Sequence, residues 1–196
     1  MLAQLRASIV MMALFTLVFG LAYPFAMTGM ARVAFPTQSA GSLVTDKSGQ
    51  VVGSALIAQG FAKPEYLHPR PSAAGNGYDP TSSSGSNLGP LDPALAKRIA
   101  GDAAAIRKDI PNADVPADAI TTSGSGLDPD VSPANAAMQA VRIAKARGIS
   151  VAEVQGVIDA QTGQPFLGFI GQPHVNVLAV NRALDARPAA AQPKAS

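Results

Sequence analysis

The sequence predicts an α+β protein: one N-terminal transmembrane helix, then a single mixed α/β soluble domain with long loops rich in Pro, Gly and Ser. Three observations carry this. Ala7 to Ala31 is a run of 25 residues without a charge. Two Asx/Ser-Pro pairs, Asp92-Pro93 and Ser132-Pro133, each precede a helix-compatible stretch. Short β-prone runs lie on both sides of those stretches. With the apolar segment set aside, about 160 residues remain, a length that suits one domain. The expected division is therefore a short tail over 1–6, a transmembrane helix over 7–31, a soluble domain over 32–186 and a disordered tail rich in Pro and Ala over 187–196.

The apolar run comes first. A helix over Ala7 to Ala31 would measure about 37 Å against a hydrocarbon core of about 30 Å, so it spans with some tilt. Gly20 and Ala22 have the spacing of a signal-peptidase site, but the run is longer than a usual signal-peptide core and continues past that site, which favours a retained anchor. Ala22, Ala26 and Gly29 fall at i, i+4 and i+7, placing three small side chains on one face. They suit packing on a second helix, although small residues are frequent in membrane helices generally. Pro24 is expected to kink the helix beside them. Basic residues flank both ends, so charge counting does not orient the span.

Past the span, Leu43–Thr45 and Gln50–Ile57 read as strands joined by Asp46-Lys47-Ser48-Gly49, whose side chains suit a hairpin turn. The tetrad superficially resembles the D-K-T-G-T phosphorylation motif of P-type ATPases. Ser48 and Gln50 replace the threonines, however, and no second acidic loop for magnesium follows; the turn reading stands. From Pro64 to Pro93 the chain is punctuated by prolines, a Gly75-Asn76-Gly77 turn and serines at 82–84. A structureless stretch of this length is either functional or unfolded. Arg70, Tyr78 and Asn87 are side chains suited to specific recognition. The other reading is an ordered, proline-pinned loop that only covers the core.

An internal echo follows: Ser84-Gly85-Ser86-Asn87-Leu88-Gly89-Pro90 returns as Ser123-Gly124-Ser125-Gly126-Leu127-Asp128-Pro129. Helices are predicted over Pro93 to Lys108 and Pro133 to Arg147, each with an N-cap side chain directly before a proline at the first helical position, where its missing N–H costs nothing. Gly148 supplies the stop of the second. Ser150 and Glu153 have capping-box spacing for a third, running to about Gln161 and ended by Gly163. His174 to Asn181 is predicted as a last strand.

Composition excludes several functions. The net charge is +2 with Lys and Arg scattered along the chain, and aromatics are 5% with no Trp, so there is no basic stripe and stacking platforms are scarce, which excludes nucleic acid as a partner. The chain has no Cys, which removes thiolate nucleophiles and Cys-ligated zinc. His68 and His174 lack a partner at H-x-x-x-H spacing, so no metal site is predicted. There is no G-x-S-x-G, and no Gly precedes a Lys as in a Walker loop. A Ser-His-Asp group assembled in space stays open, and with it a membrane-anchored hydrolase; a stand-alone adaptor is the third class. One spanning helix does not enclose an ion pathway.

Four ordered blocks carry a resemblance: Y-L-H-P-R-P-S-A-A at Tyr66 to Ala74, S-S-G-S-N-L-G-P at Ser83 to Pro90, S-G-S-G-L-D-P-D-V-S-P at Ser123 to Pro133, and P-H-V-N-V-L at Pro173 to Leu178. With the N-terminal helix they cover nearly the whole chain, and they resemble the signature blocks of the potassium-transporting ATPase C chain (KdpC) family. The resemblance implies a non-catalytic, single-pass subunit of the bacterial inner membrane, N-terminus in the cytoplasm and soluble domain in the periplasm. Its implied partners are a channel-like potassium-binding subunit, a P-type ATPase subunit and a small membrane peptide. ATP, Mg and K are used by that complex, and no cofactor is assigned to this chain. In the family the C chain is needed for assembly and acts as a catalytic chaperone that raises the ATP affinity of the hydrolysing subunit, hence the family's ATP-binding and nucleotide-binding association. A periplasmic domain does not touch cytoplasmic nucleotide, so topology and direct ATP contact conflict; the topology is preferred. The expected partner-binding residues are Arg70, Ser72, Tyr78, Ser84, Asn87, Ser123, Ser125 and Asp128, with Ala22, Ala26 and Gly29 packing in the membrane. Leu67 stands where the family commonly has an aromatic, and Gln172 and His174 stand where Glu and Arg are usual, so nothing is carried over from the last block.

Overall fold

The structure is a computed structural model that describes residues 2–187; the tail expected over 187–196 therefore lies, beyond Arg187, outside the described residues. The chain divides into two compact units after Val52.

In the first unit the helix is longer than the span predicted. It runs as α1 (Leu2–Phe15), a π-helical stretch (Thr16–Ala22) and α2 (Tyr23–Ala34). The stretch Gln4–Ala34, 31 residues, is long and apolar enough to cross a membrane. Pro24 explains the π-helical stretch: it has no N–H, and its ring excludes the carbonyl four residues back, so the preceding turns widen. The Tyr23 N–H accordingly reaches Val18 O, five residues back. The irregularity expected at Pro24 thus takes the form of widened turns. A short α3 (Pro36–Ser39) follows, then a hairpin of β1 (Leu43–Thr45) and β2 (Val51–Ser54). The second strand is shorter than the Gln50–Ile57 predicted; residues 55–57 form a turn. Asp46 Oδ1 accepts from the Ser48 N–H (2.8 Å), the Ser48 hydroxyl (2.6 Å) and the Gln50 N–H (3.0 Å). Those bonds, the Ser48 hydroxyl first, hold its carboxyl below the usual range. Asp46 is therefore committed to the turn.

The second unit contains α4 (Pro93–Asp109), α5 (Ala117–Ile120), β3 (Asp130–Val131), α6 (Pro133–Arg147), α7 (Val151–Ala160), β4 (Thr162–Gly163), β5 (His174–Asn176) and α8 (Val177–Asp185). The three small strands form an antiparallel sheet in the order β3-β5-β4, with Val131 opposite Val175 and Thr162 also opposite Val175. The helix ends follow the sequence signals. Asp92 caps Ala94 N–H, Ser132 caps Asn135 N–H, and Ser150 with Glu153 forms a complete capping box. Gly148 ends α6 at φ +67°, a left-handed conformation that glycine adopts without a Cβ penalty. α7 ends at Ala160 with Gln161 as its C-cap, where the sequence predicts, but Gly163, expected to stop it, belongs to β4.

The predicted last strand is corrected. Only His174–Asn176 is extended, and Val177 onward is helical because the Asn176 side chain accepts from the Ala179 N–H as an N-cap. Val177, Val180 and Leu184 are buried at helical spacing. The apparent alternation of 174–178 belongs to a strand running directly into a helix. The core is built from Val, Ile, Leu and Ala of α6, α7, α8, β3 and β5, together with Leu67.

Candidate functional site

The long Pro-rich segment is ordered, and α6 and α8 fix it through side-chain amides. Leu67 is fully buried yet lies in no strand, so its peptide groups need partners. Asn181 supplies both: its Oδ1 accepts from the Leu67 N–H (2.7 Å), and its Nδ2 donates to Leu67 O (2.9 Å). Gln139 repeats the pattern one residue on, accepting from the His68 N–H (2.9 Å) and donating to His68 O (3.0 Å). Two side chains thus stand in for a neighbouring β-strand. Behind Gln139 the chain of bonds continues to Asn135 (2.9 Å) and then to Asp118 (3.0 Å). Burial pushes the Asp118 carboxyl up, but the Ser132 N–H, the Asn135 amide and the Ser132 hydroxyl outweigh it and hold it below the usual range.

Arg142 completes the anchoring. It donates to Pro64 O (2.6 Å), Tyr66 O (3.1 Å) and Gln139 Oε1 (2.7 Å). Its Nη1 lies 3.3 Å from His68 Nε2, which is also 2.9 Å from Lys63 O. Burial, then the Arg142 charge, lower the His68 pKa, with the Lys63 carbonyl and Asp109 opposing. Beyond it, Arg147 bonds Glu65 O (2.7 Å), pairs with Asp185 (2.8 Å) and lies over the Tyr66 ring (5.2 Å). The ring partners of His68 are thus a main-chain carbonyl and an arginine, and His174 Nδ1 faces Gln172 O. A hydrolytic base needs a nucleophile hydroxyl at that position instead.

Seven of the eight predicted partner-binding residues come together. Arg70 pairs with Asp128 (2.9 Å) and approaches the carbonyls of Thr121 and Thr122 (both 3.4 Å). The Ser72 hydroxyl donates to Gly126 O (2.6 Å) and accepts from the Ala74 and Tyr78 N–H groups (3.1 and 2.8 Å). The Tyr78 hydroxyl returns to Arg70 O (2.8 Å). The sequence echo becomes a physical pairing: Ser84 N–H donates to Ser125 O (2.9 Å), as does the Ser83 hydroxyl (2.9 Å). Ser125 Oγ accepts from the Leu127 N–H (3.1 Å) and lies 3.4 Å from Ser123 Oγ. Gly126 has φ +67°, and a Cβ there would lie 2.5 Å from Ser84 O and 2.8 Å from Ala74 N. Only glycine fits that crossing. Asn87, the eighth residue, stands apart on an exposed stretch at φ +53°.

A cleft of about 330 Å³ is lined by α4, α6 and the 68–71 segment, with Tyr78, Asp102, Asp109, Gln139 and Arg142 among its walls. An anion placed there would face two carboxylates, and both terminal nitrogens of Arg142 already bond protein groups: Pro64 O, Tyr66 O, Gln139 Oε1 and His68 Nε2. The cleft is therefore a poor phosphate site. The residues that sequence reasoning missed are Asp118, Asn135, Gln139, Arg142 and Asn181. A signal was present, since Asn135, Gln139 and Arg142 recur at i, i+4 and i+7 on a helix face otherwise made of Ala and Ile. Ala22, Ala26 and Gly29 are exposed, as is nearly every described residue of that helix, so exposure does not single out their face.

Among the described residues, one helix long and apolar enough to cross a membrane precedes a small α+β domain with internally bonded loops. The family model of the K+-transporting ATPase c chain, KdpC, matches residues 5–186, helix included. The chain belongs to that family. Among curated relatives, the potassium-transporting ATPase KdpC subunit of Caulobacter sp. (strain K31) is 65% identical over 95% of both chains. The proteins of the same description from Beijerinckia indica, at 57% over 95% of both chains, and Myxococcus xanthus, at 50% over 95% of this chain and 87% of the relative, also align.

Proposed function

We propose that this chain is the accessory, non-catalytic subunit of an ATP-driven potassium importer, needed for assembly of the complex and raising the ATP affinity of the hydrolysing subunit. The carrying observation is the family match over residues 5–186, which includes both the anchor and the soluble domain. In this reading the N-terminus is cytoplasmic, the span lies in the inner membrane and the domain is periplasmic, where it caps the outer mouth of the channel-like subunit. The paired loops of Arg70, Ser72, Tyr78, Ser84, Ser123, Ser125 and Asp128, with Asn87 on the exposed stretch beside them, supply contacts. The Ala22-Ala26-Gly29 face packs on a partner helix.

The internal use of the Arg70, Ser72 and Arg142 donors supports an effect on ATP affinity that is exerted through subunit contacts rather than by nucleotide held on this chain. Because the chain has no native cysteine, a single cysteine introduced at exposed Ala104 reports topology cleanly. Labelling by a membrane-impermeant maleimide in intact spheroplasts is expected, and labelling only after lysis would reverse the orientation. In parallel, the KM for ATP of the hydrolysing subunit is measured with and without this chain. A lower KM in its presence supports the chaperone role; an unchanged KM removes it.

A further inference from the structure

The loop between β4 and β5 is built unlike the rest of the domain surface. Phe166, Leu167, Phe169 and Ile170 are 69, 69, 76 and 51% exposed. Four large apolar side chains at these exposures present on the order of 500 Å² of apolar surface, the size of the largest patch on a typical monomer. The segment from 160 to 181 carries no Asp, Glu, Lys or Arg, so nothing charged rims the patch from its own loop. The loop is also pinned. Phe166 N–H donates to Ile170 O and Ile170 N–H to Phe166 O (both 2.9 Å), and Gly168 N–H donates to Pro165 O (3.0 Å). Leu167 is held at φ +53°, between the bonded ends of the turn. A branched residue in the left-handed region costs about 1 kcal/mol or more, so the fold keeps this apolar side chain at a position where glycine would be less strained.

We infer that this turn is a preformed apolar peg that seats in an uncharged, apolar pocket on another protein subunit of the complex. Three features select that occupant. A stable interface buries about 800 Å² per partner, more than the peg presents, so the peg is an anchor within a wider interface and does not by itself hold two copies of this chain together. The turn has a fixed, strained shape, and shape matters to a protein pocket, whereas fluid hydrocarbon does not require it. Its aromatics are phenylalanines with no Trp, Tyr, Lys or Arg beside them, unlike the composition of segments that settle at a lipid interface. The membrane anchor on the same chain raises the effective concentration at which such a peg meets a co-embedded partner. This inference rests on the subunit reading above.

The test uses the full-length tagged chain co-expressed with the other subunits. Leu167→Ser/Phe169→Ser, both sites exposed, is expected to lower recovery of the ATPase subunits about tenfold, as loss of a buried anchor does, with an unchanged thermal transition of the variant chain in detergent. Phe169→Leu, which keeps an apolar tip, should restore most of the recovery. A photoreactive benzoylphenylalanine at position 169 should crosslink to an uncharged segment of another subunit, located by peptide mapping. Crosslinks to lipid alone, crosslinks to a second copy of this chain, or wild-type recovery by the double variant would each overturn the peg while leaving the subunit reading intact. Failure of the wild-type chain itself to recover the ATPase subunits would overturn that reading and the peg with it.

Discussion

Replacing Asn181 by Ala isolates the most unusual element of the fold, a side-chain amide standing in for a β-strand. Asn181 is 1% exposed and Leu67 is 0% exposed. The substitution therefore strands a buried N–H and a buried C=O, each at a cost of about 1–3 kcal/mol, and leaves a small cavity besides. The sum is about 3–5 kcal/mol, a large part of a typical folding stability of about 5–15 kcal/mol. At about 2–4 °C per kcal/mol, the thermal midpoint of the full chain in detergent should fall by about 10 °C. Hydrogen exchange at the Leu67 amide should lose its protection in the same variant. Asn181→Asp adds an internal control. A protonated carboxyl reproduces both bonds and an ionised one does not, so burial raises the folded pKa of the introduced group. Its stability deficit should then be smallest in acid, below the unfolded carboxylate pKa of about 4, and should widen as pH rises through the raised folded value. A midpoint shift below about 2 °C for Asn181→Ala, with the Leu67 amide still protected, would refute the clamp.

Other predictions follow from the same contacts. Gly126→Ala should destabilise by more than about 2 kcal/mol, since it combines a left-handed backbone with a clash against Ser84 O and Ala74 N, whereas Gly49→Ala, also left-handed at φ +85° but with nothing within 4 Å of the new Cβ, should cost only the backbone strain of about 1 kcal/mol; equal losses on urea denaturation would contradict the crossing. His68 titrates below its ordinary value of 6.5 in the fold. The unfolded chain thus takes up a proton before the native one, and the His68 contribution, present above that value, is lost as pH falls from it toward the folded pKa. His68→Gln should flatten the stability profile in that window. Charge-neutral substitutions at Arg70, Ser72 and Asn87 should lower complex yield and potassium uptake, and variants with both unchanged would remove the paired loops and the Asn87 stretch from the interface.

What was legible in the sequence was what local chemistry decides. The caps at Asp92, Ser132 and Ser150, the glycine stop at 148 and the Asx turn at Asp46 each depend on neighbours within a few residues. The strand predicted over 174–181 failed because Asn176 acts as a helix cap inside a run of β-prone residues, and the helical spacing of Val177, Val180 and Leu184 shows only over a longer window. The blocks at 66–74, 83–90 and 123–133 were visible as motifs, but their internal bonding was not. Ser72 meets Gly126 across 54 positions and Asn181 meets Leu67 across 114, and no periodicity encodes contacts of that range. The buried amides were missed for the same reason. A polar residue on an apolar helix face announces a partner without saying which peptide it will bond.

Affinity purification of the tagged full-length chain from detergent-solubilised membranes of potassium-starved cells, with the recovered proteins identified and ATP hydrolysis assayed, tests the subunit role most directly. The subunit reading predicts co-recovery of a P-type ATPase and a channel-like subunit with potassium-stimulated hydrolysis. A solitary chain without hydrolysis, from membranes that contain both of those proteins, would contradict it.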